Sequence, residues 1–141
     1  MRIINCLVIA ISLLTINASF AETKNNLIKQ LRFELKNYSS DNSLLSTKKL
    51  NNTLTQILKK PELIEQICAA QPLPKERKYC NTSVFSFSKE ATGLHNSLEV
   101  LMPIIKECHD DTSCINNKAG NLFSMIDADI AQLTLYLKYT G

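Results

Sequence analysis

The chain has 141 residues, 45% of them hydrophobic, with no tryptophan, three glycines and a formal net charge of +3. A charge this close to balance argues against a nucleic-acid partner or an anionic membrane surface. So few glycines, set among long Leu/Ile patterns, argue against a turn-rich β-sandwich.

Met1-Arg2 starts the chain with a positive charge, and Ile3 to Leu14 is almost wholly apolar. Ala18-Ser19-Phe20-Ala21 then offers small residues at the two positions a signal peptidase reads. Charge, apolar run and small-residue exit predict a secretory signal peptide over residues 1–21, cleaved near Ala21. The run is shorter than the roughly 20 apolar residues of a membrane span. Cys6 lies inside it and not where a lipoprotein cysteine would follow the cleavage site. The expected organisation is a leader, 1–21, and a single helical domain, 22–141, periplasmic or secreted, with no stable membrane insertion. The Asn/Lys/Ile-rich composition suggests a bacterium with an AT-rich genome. Once Arg2 leaves with the leader, the net charge falls to +2.

Thr23 to Asn37 reads as a first helix, because Leu27, Ile28, Leu31 and Leu35 recur at helical spacing; Phe33 falls outside that stripe. A polar break over residues 38–43 supplies cap residues for the next helix. Leu44 to Lys60 carries Leu50, Leu54, Ile57 and Leu58 on one face. Pro61 then stands where it suits the first turn of a helix, so Leu44 to Ala70 is either one kinked helix or two in succession. Gln71-Pro72-Leu73-Pro74 ends it, because two prolines this close cannot sit inside a helix.

Cys80, Val84, Phe87, Ala91, Leu94, Leu98, Leu101, Ile105 and Cys108 recur at steps of four and three, one face of a long helix. Pro103 is expected to kink or restart it, and Thr92-Gly93 is an alternative break. Val84 to Ser88 alternates in part like a strand, but a single short strand would have no partner. A polar turn comes next at 109–113, where Asp111 or Thr112 can cap the last helix. Ile115, Ala119, Leu122, Ile126, Ile130, Leu133 and Leu137 form another continuous stripe, ending near Lys138. Striped helices with short connections predict an all-α fold: a small up-down bundle of four to five helices stapled by two disulfides. The sustained four-three spacing also leaves a homodimer open.

Four cysteines lie beyond the leader: Cys68, Cys80, Cys108 and Cys114. An even number in an exported chain of this size reads as two disulfides. Three connectivities exist; Cys68–Cys80 with Cys108–Cys114 is favoured, because each pair brackets a helix–helix turn. Zinc is disfavoured, since the spacings do not match the usual ligand pairs, and neither a metal nor a cofactor is expected.

Candidate chemistry is sparse. Cys108-His109-Asp110-Asp111 reads as a metal or nucleophile cluster, or as a disulfide end before a capped turn; the oxidising compartment favours the second. His95 sits beside the long stripe. Asp127 and Asp129 point to different faces of a helix, and Glu62 and Glu65 sit early in a helical segment, where carboxylates are expected anyway. No Gly-x-Ser-x-Gly context or phosphate loop occurs. Phe85, Tyr136 and Tyr139 lie off the stripes, as a second packing face or as partner anchors. Phe85 with Lys75, Arg77 and Lys78 is the candidate partner contact. The expected function is therefore non-enzymatic: an exported protein that binds another protein, as an inhibitor or immunity protein or as an accessory component of an envelope or secretion system. The alternatives are a carrier of a small apolar ligand held between helices and, third, a small hydrolase in which His95 or His109 meets a carboxylate and a nucleophile.

Overall fold

The computed structural model describes residues 26–38, 40–82 and 86–140. The leader and Phe85 lie outside them. Seven helices occur among the described residues: α1 (26–38), α2 (Leu44–Leu58), α3 (Pro61–Ala69), α4 (Pro74–Thr82), α5 (Phe87–Glu107), α6 (Thr112–Ala119) and α7 (Leu122–Leu137). The expectation of four to five helices is corrected, and local chemistry explains the surplus. Pro61 forces Lys60 out of helical geometry, to φ −123° and ψ 84°, so α2 and α3 are two helices. Ser86, in extended geometry, accepts from the Lys89 N–H and starts a fresh helix at Phe87. Cys80 therefore belongs to α4, and the long stripe is not one helix. Gly120 takes φ +52°, which separates α6 from α7 where a continuous stripe was expected.

Two sequence breakers do not break. α5 runs through both Gly93 and Pro103. A Cβ built on Gly93 would stand 3.4 Å from Asp129 Oδ2, an ordinary contact. Gly93→Ala is therefore expected to stabilise the fold by about 0.5 kcal/mol through helix propensity, read as a higher denaturant midpoint.

Three of the helix starts carry a side-chain cap. Ser43, Ser86 and Asp111 each accept a hydrogen bond from a backbone N–H in the first turn of α2, α5 and α6. The hydrophobic stripes meet in one core: Leu31 and Leu35 from α1, Leu50 and Leu54 from α2, Leu94 and Leu98 from α5, Ile126 and Leu133 from α7. Burying each such side chain contributes about 1.5–3 kcal/mol.

The four long helices run antiparallel to their neighbours. Gln30 meets Thr53, and Tyr38 meets Thr47, across α1–α2. Asn51 meets Glu99, and Thr55 meets His95, across α2–α5. Phe87 meets Tyr136, and Gly93 meets Asp129, across α5–α7. α7 and α1 then border a common groove. The three short helices fill the connections.

Both cysteine pairs have disulfide geometry. Cys68–Cys80 closes the α3–α4 turn with S–S 1.98 Å, and Cys108–Cys114 closes the α5–α6 turn with S–S 2.06 Å. No helix among the described residues is long and apolar enough to cross a membrane.

Candidate functional site

α4 has the sequence PKERKYCNT, and Cys80 is its one buried residue. A helix this polar rests lightly on the bundle, and its aromatic, Tyr79, stays 49% exposed. The α3–α4 turn is tied down by one amide and one guanidinium. Gln71 donates from Nε2 to the Ile67 carbonyl at 3.0 Å and to the Tyr136 carbonyl at 2.7 Å, joining this turn to the last turn of α7. Arg77 donates from Nη1 to the carbonyls of Gln71 and Pro72 at 2.8 and 3.3 Å.

These anchors set a groove between α4 and α7, with Tyr79 and Glu76 on one wall and Gln132, Leu135 and Tyr139 on the other. A second groove runs along the other flank of α7, between Arg32 and Lys36 of α1 and Thr134 and Lys138; Leu135 borders both. Leu135 is thus a ridge, 60% exposed, and Tyr139 beside it is 47% exposed. α7 is apolar on two opposite sides. Ile126, Ile130, Leu133 and Leu137 face the core. Met125, Ala128, Gln132, Leu135 and Tyr139 recur at steps of three and four on the outer side, all of them exposed. Lysines border this face: Lys75 Nζ lies 5.6 Å from the Tyr79 ring centroid and Lys138 Nζ 5.5 Å from that of Tyr139. Such cation–π contacts hold the amines beside the rings.

Of the partner contacts expected from sequence, Lys75 stands beside this groove. Arg77 is engaged in the turn, Lys78 is exposed on α4 but lines neither groove, and Phe85 lies outside the described residues. Tyr136 packs edge-on against Phe87 at 6.0 Å between centroids, so it serves as a second packing face, whereas Tyr139 points to the open side. Burial, and after it the Glu90 carboxylate, raise the Tyr136 phenol above its ordinary range. Sequence reasoning misses Tyr79 and Leu135, although the outer spacing from Met125 to Tyr139 is visible in the sequence.

The turn after α5 takes its shape from backbone demands. His109 and Asp110 have φ of 51° and 60°, and Asp111 caps α6 by accepting from the Cys114 N–H at 2.8 Å. Cys108 is in the disulfide. Glu107 of α5 pairs with Lys118 of α6 across the same turn. No group of three or more His, Cys, Asp or Glu suited to a metal occurs among the described residues.

Two polar assemblies connect helices far apart in sequence. His95 Nδ1 lies 2.6 Å from Asn51 Oδ1, and Asn51 Nδ2 donates to Glu99 Oε1 at 2.6 Å. An amide oxygen only accepts, so Nδ1 carries the proton and Nε2 is the acceptor in the neutral ring. The nearest hydroxyl, Thr55, is 3.5 Å from that same Nδ1 and itself donates to the Asn51 carbonyl at 2.9 Å. It is placed as a helix hydroxyl, not as a nucleophile that His95 could activate. Asn51→Ala is expected to cost about 2 kcal/mol, because it leaves the imidazole N–H without its acceptor; urea unfolding checks this.

The second assembly is a carboxyl pair. Asp129 of α7 is hydrogen-bonded to Glu90 of α5, and burial, that hydrogen bond and the Glu90 charge raise its pKa to about 6. A hydrogen bond between two carboxyl groups requires a proton on one of them. Sequence neighbours could not reveal this pair, since Asp129 meets Glu90 only through α5–α7 packing.

Comparison of the chain with protein-family models, with curated proteins and with solved structures returned no match.

Proposed function

We propose that this protein is exported, loses its leader near Ala21 and works in the bacterial periplasm by binding another protein, without catalysing a reaction. It acts as an inhibitor or immunity protein, or as an accessory component of an envelope or secretion system. The observation that carries the reading is the open face of α7 and α4, where Tyr79, Leu135 and Tyr139 stay about half exposed or more on a scaffold whose other stripes are buried. Exposed apolar residues gathered around tyrosines, with charged groups at the margin, suit recognition of a protein surface. The two disulfides agree with an oxidising compartment.

A photo-crosslinking amino acid placed at Leu135, and in a control at the equally exposed Val100 of α5, tests this in the native envelope. Specific protein adducts from position 135 and none from position 100 are expected. No adducts, or the same adducts from both positions, would refute the reading.

A further inference from the structure

We infer that the occupant of the outer α7 face is an acidic amphipathic helix of another protein, seated along Gln132 to Tyr139. This rests on the protein-binding reading above and adds the partner's chemistry.

The shape argues for a helix. Gln132 and Leu135 of α7 and Tyr139 of the turn that follows it keep a three-four rhythm on one exposed side. Grooves run along both flanks of the Leu135 ridge, one against α4 and one against α1. A ridge between two grooves is the surface onto which a second helix packs, and a partner helix reads it with apolar residues at matching spacing.

The charges argue for acid. Lys75 stands at the α4 flank beside Tyr79. Arg32, Lys36 and Lys138 line the α1 flank. Glu76 is the one acidic residue lining either groove. Carboxylates flanking the partner's apolar stripe would therefore meet cations on both sides, which steers association and fixes the seat. The amines of Lys75 and Lys138 stand over the tyrosine rings, so the cations border the apolar floor directly. The same charges disfavour a second copy of this chain. A two-fold pairing that crosses two α7 helices antiparallel at Leu135 would bring the flank of Arg32, Lys36 and Lys138 against its own copy, and like charges in contact oppose association.

The test uses the mature, oxidised protein and two labelled synthetic helices of about 20 residues. Both carry leucines on one face at three-four spacing. One has glutamates on the flanks, and the other has lysines in their place. The glutamate peptide is expected to bind, and to weaken as salt rises from about 50 to 300 mM. Binding should fall about tenfold or more in the double variant Lys36→Glu/Lys138→Glu, and again in Leu135→Ser, while Val100→Ser leaves it unchanged. All four positions are exposed, and unchanged thermal melts verify folding. Equal binding of both peptides, no binding of the glutamate peptide, or indifference to the charge reversals overturns the inference. So does self-association abolished by Leu135→Ser, which would make a second copy the occupant. If crosslinks at position 135 capture a protein but the glutamate peptide does not compete, this inference fails while the protein-binding reading stands. Absence of crosslinks removes both.

Discussion

Replacing Cys68 and Cys80 together by alanine is expected to lower the unfolding free energy by about 3 kcal/mol, the loop-closure value for a cross-link of this span. The bridge joins residues 12 apart in sequence. For a chain of this size the change corresponds to a fall of roughly 10–15 °C in Tm. The loss should be uneven. Cys80 is the one residue of α4 that reaches the interior, so the bridge supplies most of what holds this helix to α3. Amides of residues 74–82 should lose hydrogen-exchange protection before the core of α5 does, because weakly packed elements open first. Alanine is the right replacement, since both cysteines are fully buried and a serine hydroxyl would need a partner there. The functional consequence is direct: α4 forms one wall of the groove, so the double variant should also bind the glutamate peptide more weakly. Retained protection across 74–82 would show that Gln71 and Arg77 hold the turn without the bridge. A groove that depends on the bridge forms only after Cys68 and Cys80 are oxidised.

Stability should fall as pH rises from about 4 to about 6.5, and Asp129→Asn should remove that fall. Asp129 has its pKa raised in the folded state to about 6 by burial and by the facing Glu90. The unfolded chain holds the same proton only in the ordinary carboxylate range. Between the two values the folded state binds more protons, so raising the pH withdraws stability, and above the folded value the penalty is fully present. Asp129 is partly open to solvent, so screening limits the effect to about 1 kcal/mol. Asparagine keeps a donor for Glu90 and carries no charge. The variant should therefore melt about 4 °C higher than the parent at pH 8 and at nearly the same temperature at pH 4. A difference independent of pH would instead mean that Asp129 is ionised throughout. The Tyr136 phenol, also near Glu90, titrates far above this window and does not confuse the reading.

Much of this architecture is legible from periodicity. Most apolar positions of α1, α5 and α7 picked out by three-four spacing are buried, from Leu27 and Leu31 through Leu94 and Leu98 to Ile126 and Leu137, while Leu122 at the start of α7 is half-buried. The favoured cysteine pairs are those within bonding distance, because a short turn between two helices leaves each cysteine little else to meet. The boundaries are less legible. Gly93 and Pro103 look like breaks, yet α5 runs through both, while Gly120 gives no warning and turns the chain. Local propensity is a weak prior, and packing of a long buried stripe overrides it.

The candidate site divides the same way. The basic cluster at Lys75 to Lys78 and the off-stripe tyrosines of the last helix are visible as residues out of pattern. That Arg77 is used within the turn, that Tyr136 packs inward on Phe87 and that Tyr139 stays open depends on where α4 and α7 come to lie. Helical character, core stripes and the means of stapling come from the linear order, because hydrophobic spacing and covalent bonding act between residues close along the chain. The Glu90–Asp129 pair, the Glu99–Asn51–His95 chain and the ridge of Leu135 between two grooves are decisions of the tertiary structure alone. They join side chains from different helices, and only packing of the core determines which outward faces become neighbours.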